Sequence, residues 1–103
     1  MSNSSEELYD ECKKLYHSLE RVRELVAKGA DVNWKNENDY NWTGFMYACY
    51  NNRIETVKYL ITIDRINVNL VDNYGWSGFY NACSKGRNEI VQILLDDARV
   101  DVM

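Results

Sequence analysis

The chain has 103 residues, enough for one domain, and its 46% hydrophobic and 27% charged residues describe an ordinary globular chain rather than a disordered one. A formal net charge of -4 with no run of Lys or Arg argues against a nucleic-acid or anionic-membrane surface, and no stretch approaches the ~20 apolar residues of a membrane span. Three cysteines, an odd number, behind a polar Met1–Ser5 start without an apolar leader read as free thiols in a reducing, cytoplasmic setting.

Taken in chain order, apolar spacing predicts helices near 6–15 and 18–28, with Leu8, Cys12 and Leu15 on one face and Leu19, Val22, Leu25 and Val26 on the other. Glu6, Glu7, Asp10 and Glu11 then fall on a solvated first helix, with carboxylates near its N-terminus. A polar stretch from Asn33 to Asn41 reads as a protruding loop, and Trp34 within it as a local packing residue. Helices follow near 44–51, with Phe45, Ala48 and Cys49 in one stripe, and near 54–63, with Ile54, Val57, Leu60 and Ile61. A second polar loop spans Asn69 to Gly75, and the last helices lie near 78–85 and 88–97, the latter carrying Ile90, Val91, Leu94 and Leu95. Thr43 and Ser77 are suited to cap the helices they precede, and Asn51-Asn52 and Lys85-Gly86 to turn between paired helices.

Two of these stretches are copies. Trp42-Thr43-Gly44-Phe45-Met46-Tyr47-Ala48-Cys49 recurs 34 residues later as Trp76-Ser77-Gly78-Phe79-Tyr80-Asn81-Ala82-Cys83. The register then continues through Arg53/Arg87, Glu55/Glu89, Val57/Val91, Leu60/Leu94 and Val68/Val102. A weaker copy precedes them: Val22 to Val26 is similar to Val57 to Ile61, and Asp31-Val32-Asn33 to Asn67-Val68-Asn69. These motifs resemble the ankyrin repeat. Gly29-Ala30-Asp31-Val32-Asn33 matches the family's closing motif, whereas the opening Thr-Pro-Leu-His signature is degenerate, with Gly44 and Gly78 at the proline and Phe45 and Phe79 at the leucine. The resemblance implies an all-α solenoid of stacked helix-turn-helix units with protruding loops. Residues 1–103 then form one domain, with an atypical unit at 6–33 and repeats at 34–68 and 69–103. Proline at the first helical position pre-sets φ, so restoring it at 44 and 78 is expected to stabilise the fold by about 1 kcal/mol per site.

No catalytic, cofactor or metal site stands out. His17 is the lone histidine, at a helix–helix turn where exposure is expected. Cys12, Cys49 and Cys83 show no metal-ligand spacing, and the equivalent Cys49 and Cys83 read as small core residues too far apart for a disulfide. The aromatic residues carry more information. The resemblance places the residues before Thr43 and Ser77, and the ends of the inner helices, on the concave recognition face. Aromatic side chains there suit a binding surface. The candidate partner-binding residues are Asp39, Tyr40, Trp42, Met46, Tyr50, Asn73, Tyr74, Trp76, Tyr80 and Lys85, and the expected role is non-catalytic binding of a protein partner. The alternatives are self-association through exposed end faces, or a regulatory or scaffolding part of a longer multi-repeat or enzyme-containing protein.

Overall fold

A computed structural model of the chain describes residues 3–102. Six helices run in the order α1 (Ser4–Lys13), α2 (Leu19–Ala27), α3 (Gly44–Tyr50), α4 (Ile54–Leu60), α5 (Gly78–Ser84) and α6 (Asn88–Leu95), with no strand among the described residues. They form three antiparallel pairs. The inner helices stack in the order α1, α3, α5, and the outer helices in the order α2, α4, α6. Between pairs the chain leaves the stack in two loops, each closed by one antiparallel bridge, Asn36 with Trp42 and Val71 with Ser77.

Local chemistry sets the helix starts. The side chains of Asn3, Ser18, Thr43 and Ser77 accept from the backbone N–H groups of Glu6, Arg21, Met46 and Tyr80, satisfying donors that the first turn leaves unpaired. α4 and α6 lack such caps. The arginines that precede them reach across instead to the turn after α1 and to the last residue of α3. Arg53 Nη2 donates to Leu15 O at 2.7 Å, and Arg87 Nε to Tyr50 O at 3.0 Å. The matched arginines of the repeat are therefore staples between units. Asn52 and Gly86 take the positive φ that the intra-pair turns need, 61° and 68°.

The core runs the length of the stack, from Leu8, Cys12, Val22 and Leu25 through Phe45, Ala48, Cys49, Val57 and Leu60 to Ala82, Ile90 and Leu94. Four expectations need correction. Leu15 is 76% exposed because α1 ends at Lys13, two residues before it. Glu11 is not solvated. It is buried, and its Oε2 accepts from Ser18 N–H at 2.8 Å while its Oε1 meets Lys14 Nζ at 3.1 Å. His17 is half-buried and bridges two units: Nδ1 lies 3.1 Å from Glu11 O, and Nε2 is hydrogen-bonded to Thr56 Oγ1. Finally, Gly78 has no room for a proline, since a Cβ there would meet the ring of Phe45.

The last pair has no neighbour on its outer side among the described residues, and equivalent positions diverge accordingly. Cys49 is buried under α5, while Cys83 is exposed. Ile61 is half-buried, while Leu95 is exposed.

Candidate functional site

The two loops and the inner helices α3 and α5 together enclose an open groove of about 430 Å³. It is lined by Asp39, Tyr40, Trp42, Tyr47 and Tyr50 from the first loop and α3, and by Asp72, Tyr74, Trp76, Asn81, Ser84 and Lys85 from the second loop and α5. Asp39, Tyr40, Trp42, Tyr50, Tyr74, Trp76 and Lys85 were all expected from the sequence. Trp42 and Trp76 come together because each occupies the residue before a helix cap, where the chain turns from loop into inner helix.

Aromatic rings form two clusters along the groove, the second running on past it to Tyr80. In one, Trp42 packs against Tyr47 at 4.6 Å and Tyr50 at 5.5 Å between ring centroids. In the other, Tyr40 meets Tyr74 at 5.6 Å, Tyr74 meets Trp76 at 5.3 Å, and Trp76 stacks on Tyr80 at 5.1 Å. Trp76 is 40% exposed and Tyr74 61%, whereas Trp42 is half-buried by its neighbours. Tyr40 is held at φ 54°, a left-handed conformation that costs a bulky residue strain; its carbonyl accepts from Asn73 N–H at 2.9 Å, which ties the two loop tips together.

Three expected residues lie outside the groove lining. Met46 is only 1% exposed: it begins α3, which is packed between α1 and α5, so its side chain is core and not surface. Its counterpart Tyr80 opens α5, whose far side is uncovered, and it is 45% exposed on that end face. Asn73 sits at a loop tip with its Oδ1 accepting from Asn41 Nδ2 at 2.6 Å, so it braces the loops. Trp34 packs edge-on against Tyr9 at 5.5 Å, the local role expected of it.

The polar groups of the groove are held unequally. Asp39 Oδ2 accepts from the hydroxyls of both Tyr9 and Tyr47, with Lys13 Nζ at 3.7 Å. Burial opposes ionisation of Asp39, but the two phenols and the ammonium outweigh it and hold its pKa below the usual carboxylate value. The same contacts act oppositely on the phenols: burial, then the bond to Asp39, pushes Tyr47 up to about 12. Lys85 Nζ lies 4.9 Å from the centre of the Tyr50 ring, a cation–π contact. Asp72 is 5% exposed; its Oδ1 accepts from the backbone N–H groups of Tyr74 at 2.8 Å and Trp76 at 3.0 Å. Tyr47, Asp72, Asn81 and Ser84 were not anticipated. Tyr47 could have been found from its spacing, since it precedes Tyr50 by three residues and shares its helical face.

The stacked helix pairs define a repeat protein, and the match to known families gives it a name. The family described as ankyrin repeats (3 copies) matches residues 10–103, and the chain belongs to the ankyrin-repeat family. No curated protein matches it. Ankyrin repeats are generally protein–protein interaction modules and typically non-catalytic. Among the described residues no helix is long and apolar enough to cross a membrane.

Proposed function

We propose that this chain is a non-catalytic interaction module that binds a protein partner through the loop tips and the concave face of α3 and α5. The observation that carries the reading is the continuous aromatic lining of the groove, with Trp76 and Tyr74 exposed and no core to pack them. Exposed aromatic anchors of this kind dominate binding hot spots, and their exposure without a use would favour aggregation. The binding residues are Asp39, Tyr40, Trp42, Tyr50, Tyr74, Trp76 and Lys85, joined by Tyr47. Free thiols at Cys12, Cys49 and Cys83 suit a reducing compartment such as the cytoplasm. Proteins retained by immobilised wild type, but lost on a folded Trp76→Ala chain, would support the reading; identical retention by both would sink it.

A second reading has its own observation. The uncovered side of the last pair presents Val71, Phe79, Tyr80, Cys83 and Val102 around a hollow of about 330 Å³. Stacking of that face on another repeat unit gives concentration-dependent association, which light scattering separates from groove binding.

A further inference from the structure

We propose that the groove receives a lysine side chain of the partner, whose ammonium donates to Asp72 Oδ2 while its charge lies against the surrounding aromatic faces. This rests on the partner-binding reading and names the chemistry selected by the same groove.

Asp72 carries the argument. Its Oδ1 closes the loop by accepting two backbone N–H groups, from Tyr74 and Trp76. Its Oδ2 is buried and has no hydrogen-bond partner in the protein. Buried polar atoms are almost always paired, and a buried carboxylate oxygen without a donor is costly. The fold does not need that oxygen. In the preceding loop Asn36 holds the corresponding place. Its N–H donates to Trp42 O at 2.9 Å, as that of Asp72 donates to Trp76 O at 3.0 Å. Its Oδ1 accepts from Asn38 N–H at 2.9 Å, as that of Asp72 accepts from Tyr74. An amide therefore suffices for the turn. The carboxylate adds a second acceptor, on a residue that lines the groove.

The walls indicate which donor fits. Trp42, Tyr50, Tyr74 and Trp76 line the same groove, and aromatic faces attract cations. Lys85 already sets an ammonium over the Tyr50 ring, so the surface accommodates one. Asp39, the other carboxylate of the groove, is engaged by Tyr9, Tyr47 and Lys13, which leaves Asp72 as the acceptor in need of a donor. A guanidinium fork pairs with both oxygens of a carboxylate, but Oδ1 is already doubly occupied. One remaining oxygen suits the point donor of lysine. A quaternary ammonium has no N–H to give. At about 430 Å³ the groove lies within the ~300–1,000 Å³ range of small-ligand clefts, sufficient for one long side chain.

The test is an NMR titration of the ¹⁵N-labelled chain with N-acetyl-lysine methylamide and its norleucine, arginine and trimethyl-lysine counterparts. The indole signals of Trp42 and Trp76 and the amide signals of Tyr74 and Trp76 are followed. The lysine probe is expected to bind about ten-fold more tightly than each of the other three, the worth of one hydrogen bond to a charged group. Asp72→Asn, which keeps the turn acceptor as Asn36 does, is expected to melt like wild type and to bind lysine no better than norleucine. Norleucine, arginine or trimethyl-lysine binding as tightly as lysine to wild type would overturn the proposal, and that comparison needs no variant. So would undiminished lysine binding by Asp72→Asn. In either case the partner-binding reading stands or falls separately, on whether Trp76→Ala loses the protein partner.

Discussion

A Cβ atom placed on Gly78 would lie 2.7 Å from Cε2 of Phe45, closer than real Cβ contacts come, and 3.0 Å from its Cδ2. Gly78 stands where the family's opening motif has proline, and Phe45 where it has leucine. The two departures are one exchange of volume across adjacent inner helices: the larger ring of one repeat fills the space left by the missing side chain of the next. Gly78→Pro should therefore destabilise the protein, by about 1–3 kcal/mol as overpacking does, despite its favourable effect on the unfolded chain. Adding Phe45→Leu should recover part of the loss. Denaturant midpoints of the two single variants and the double variant would show the coupling, and a stabilising Gly78→Pro alone would refute the exchange.

His17 gives the fold a pH dependence. Burial pushes its pKa below 6.5, helped by the charge of Arg53 and opposed by the bond to Glu11 O. A histidine with a depressed folded pKa binds its proton more readily when unfolded. Its contribution to stability is complete above pH 6.5 and is lost as the pH falls from there through the folded pKa. The denaturation midpoint should begin to drop below about pH 6.5, before the carboxylates titrate near pH 4. His17→Gln should flatten the upper part of that curve while leaving the lower part unchanged. Glu11 and Asp39, both depressed, contribute to the lower part, where stability declines as they protonate.

The fold was legible in the sequence because a 34-residue register fixes helix pairs, caps and turns at once, and Thr43, Ser77, Asn52 and Gly86 perform the roles their chemistry suggests. The aromatic half of the groove was legible for the same reason. Met46 was misplaced because its burial depends on a neighbouring helix pair on the far side, which among the described residues α3 has and α5 does not. Asp72 was missed because the constant register fails inside the loops. Asn36 to Trp42 is two residues longer than Asp72 to Trp76, so the structural counterpart of Asp72 is Asn36 and not the residue 34 positions earlier. Leu15 and His17 turned on where α1 ends, and helix ends are poorly determined by periodicity alone.

The three thiols should separate by accessibility. Burial pushes the thiol of Cys12 up to about 12 and raises that of Cys49 further, and both side chains are inaccessible. Cys83 is exposed on the uncovered end face. A chromogenic thiol reagent should titrate one group in the native protein and the other two only on denaturation, with mass spectrometry locating the first label on Cys83. Rapid native labelling of Cys49 would mean that α5 does not cover α3 in solution.

Trp42 and Trp76 should differ in what their removal costs. Trp42 is half-buried against Tyr47 and Tyr50, so Trp42→Ala should lower both stability and binding. Trp76 is 40% exposed and rests on Tyr74 and Tyr80, so Trp76→Ala should leave helicity and melting nearly unchanged. A tryptophan can bury on the order of 150–250 Å² at an interface, and apolar burial contributes roughly 25 cal/mol per Å². Exposed rim ion pairs contribute about 0–1 kcal/mol each. Loss of Trp76 should then weaken a genuine protein partner by about ten-fold or more, since 1.4 kcal/mol is a decade of affinity. Raising the salt to about 0.5 M should have a smaller effect, because screening acts on exposed charges and much less on a buried contact. The measurement is a titration of wild type and Trp76→Ala at low and high salt, with circular dichroism recorded first. An unchanged affinity in a folded Trp76→Ala chain would make Trp76 a structural lid, and a steep salt dependence would move the interface from the groove to the charged surface.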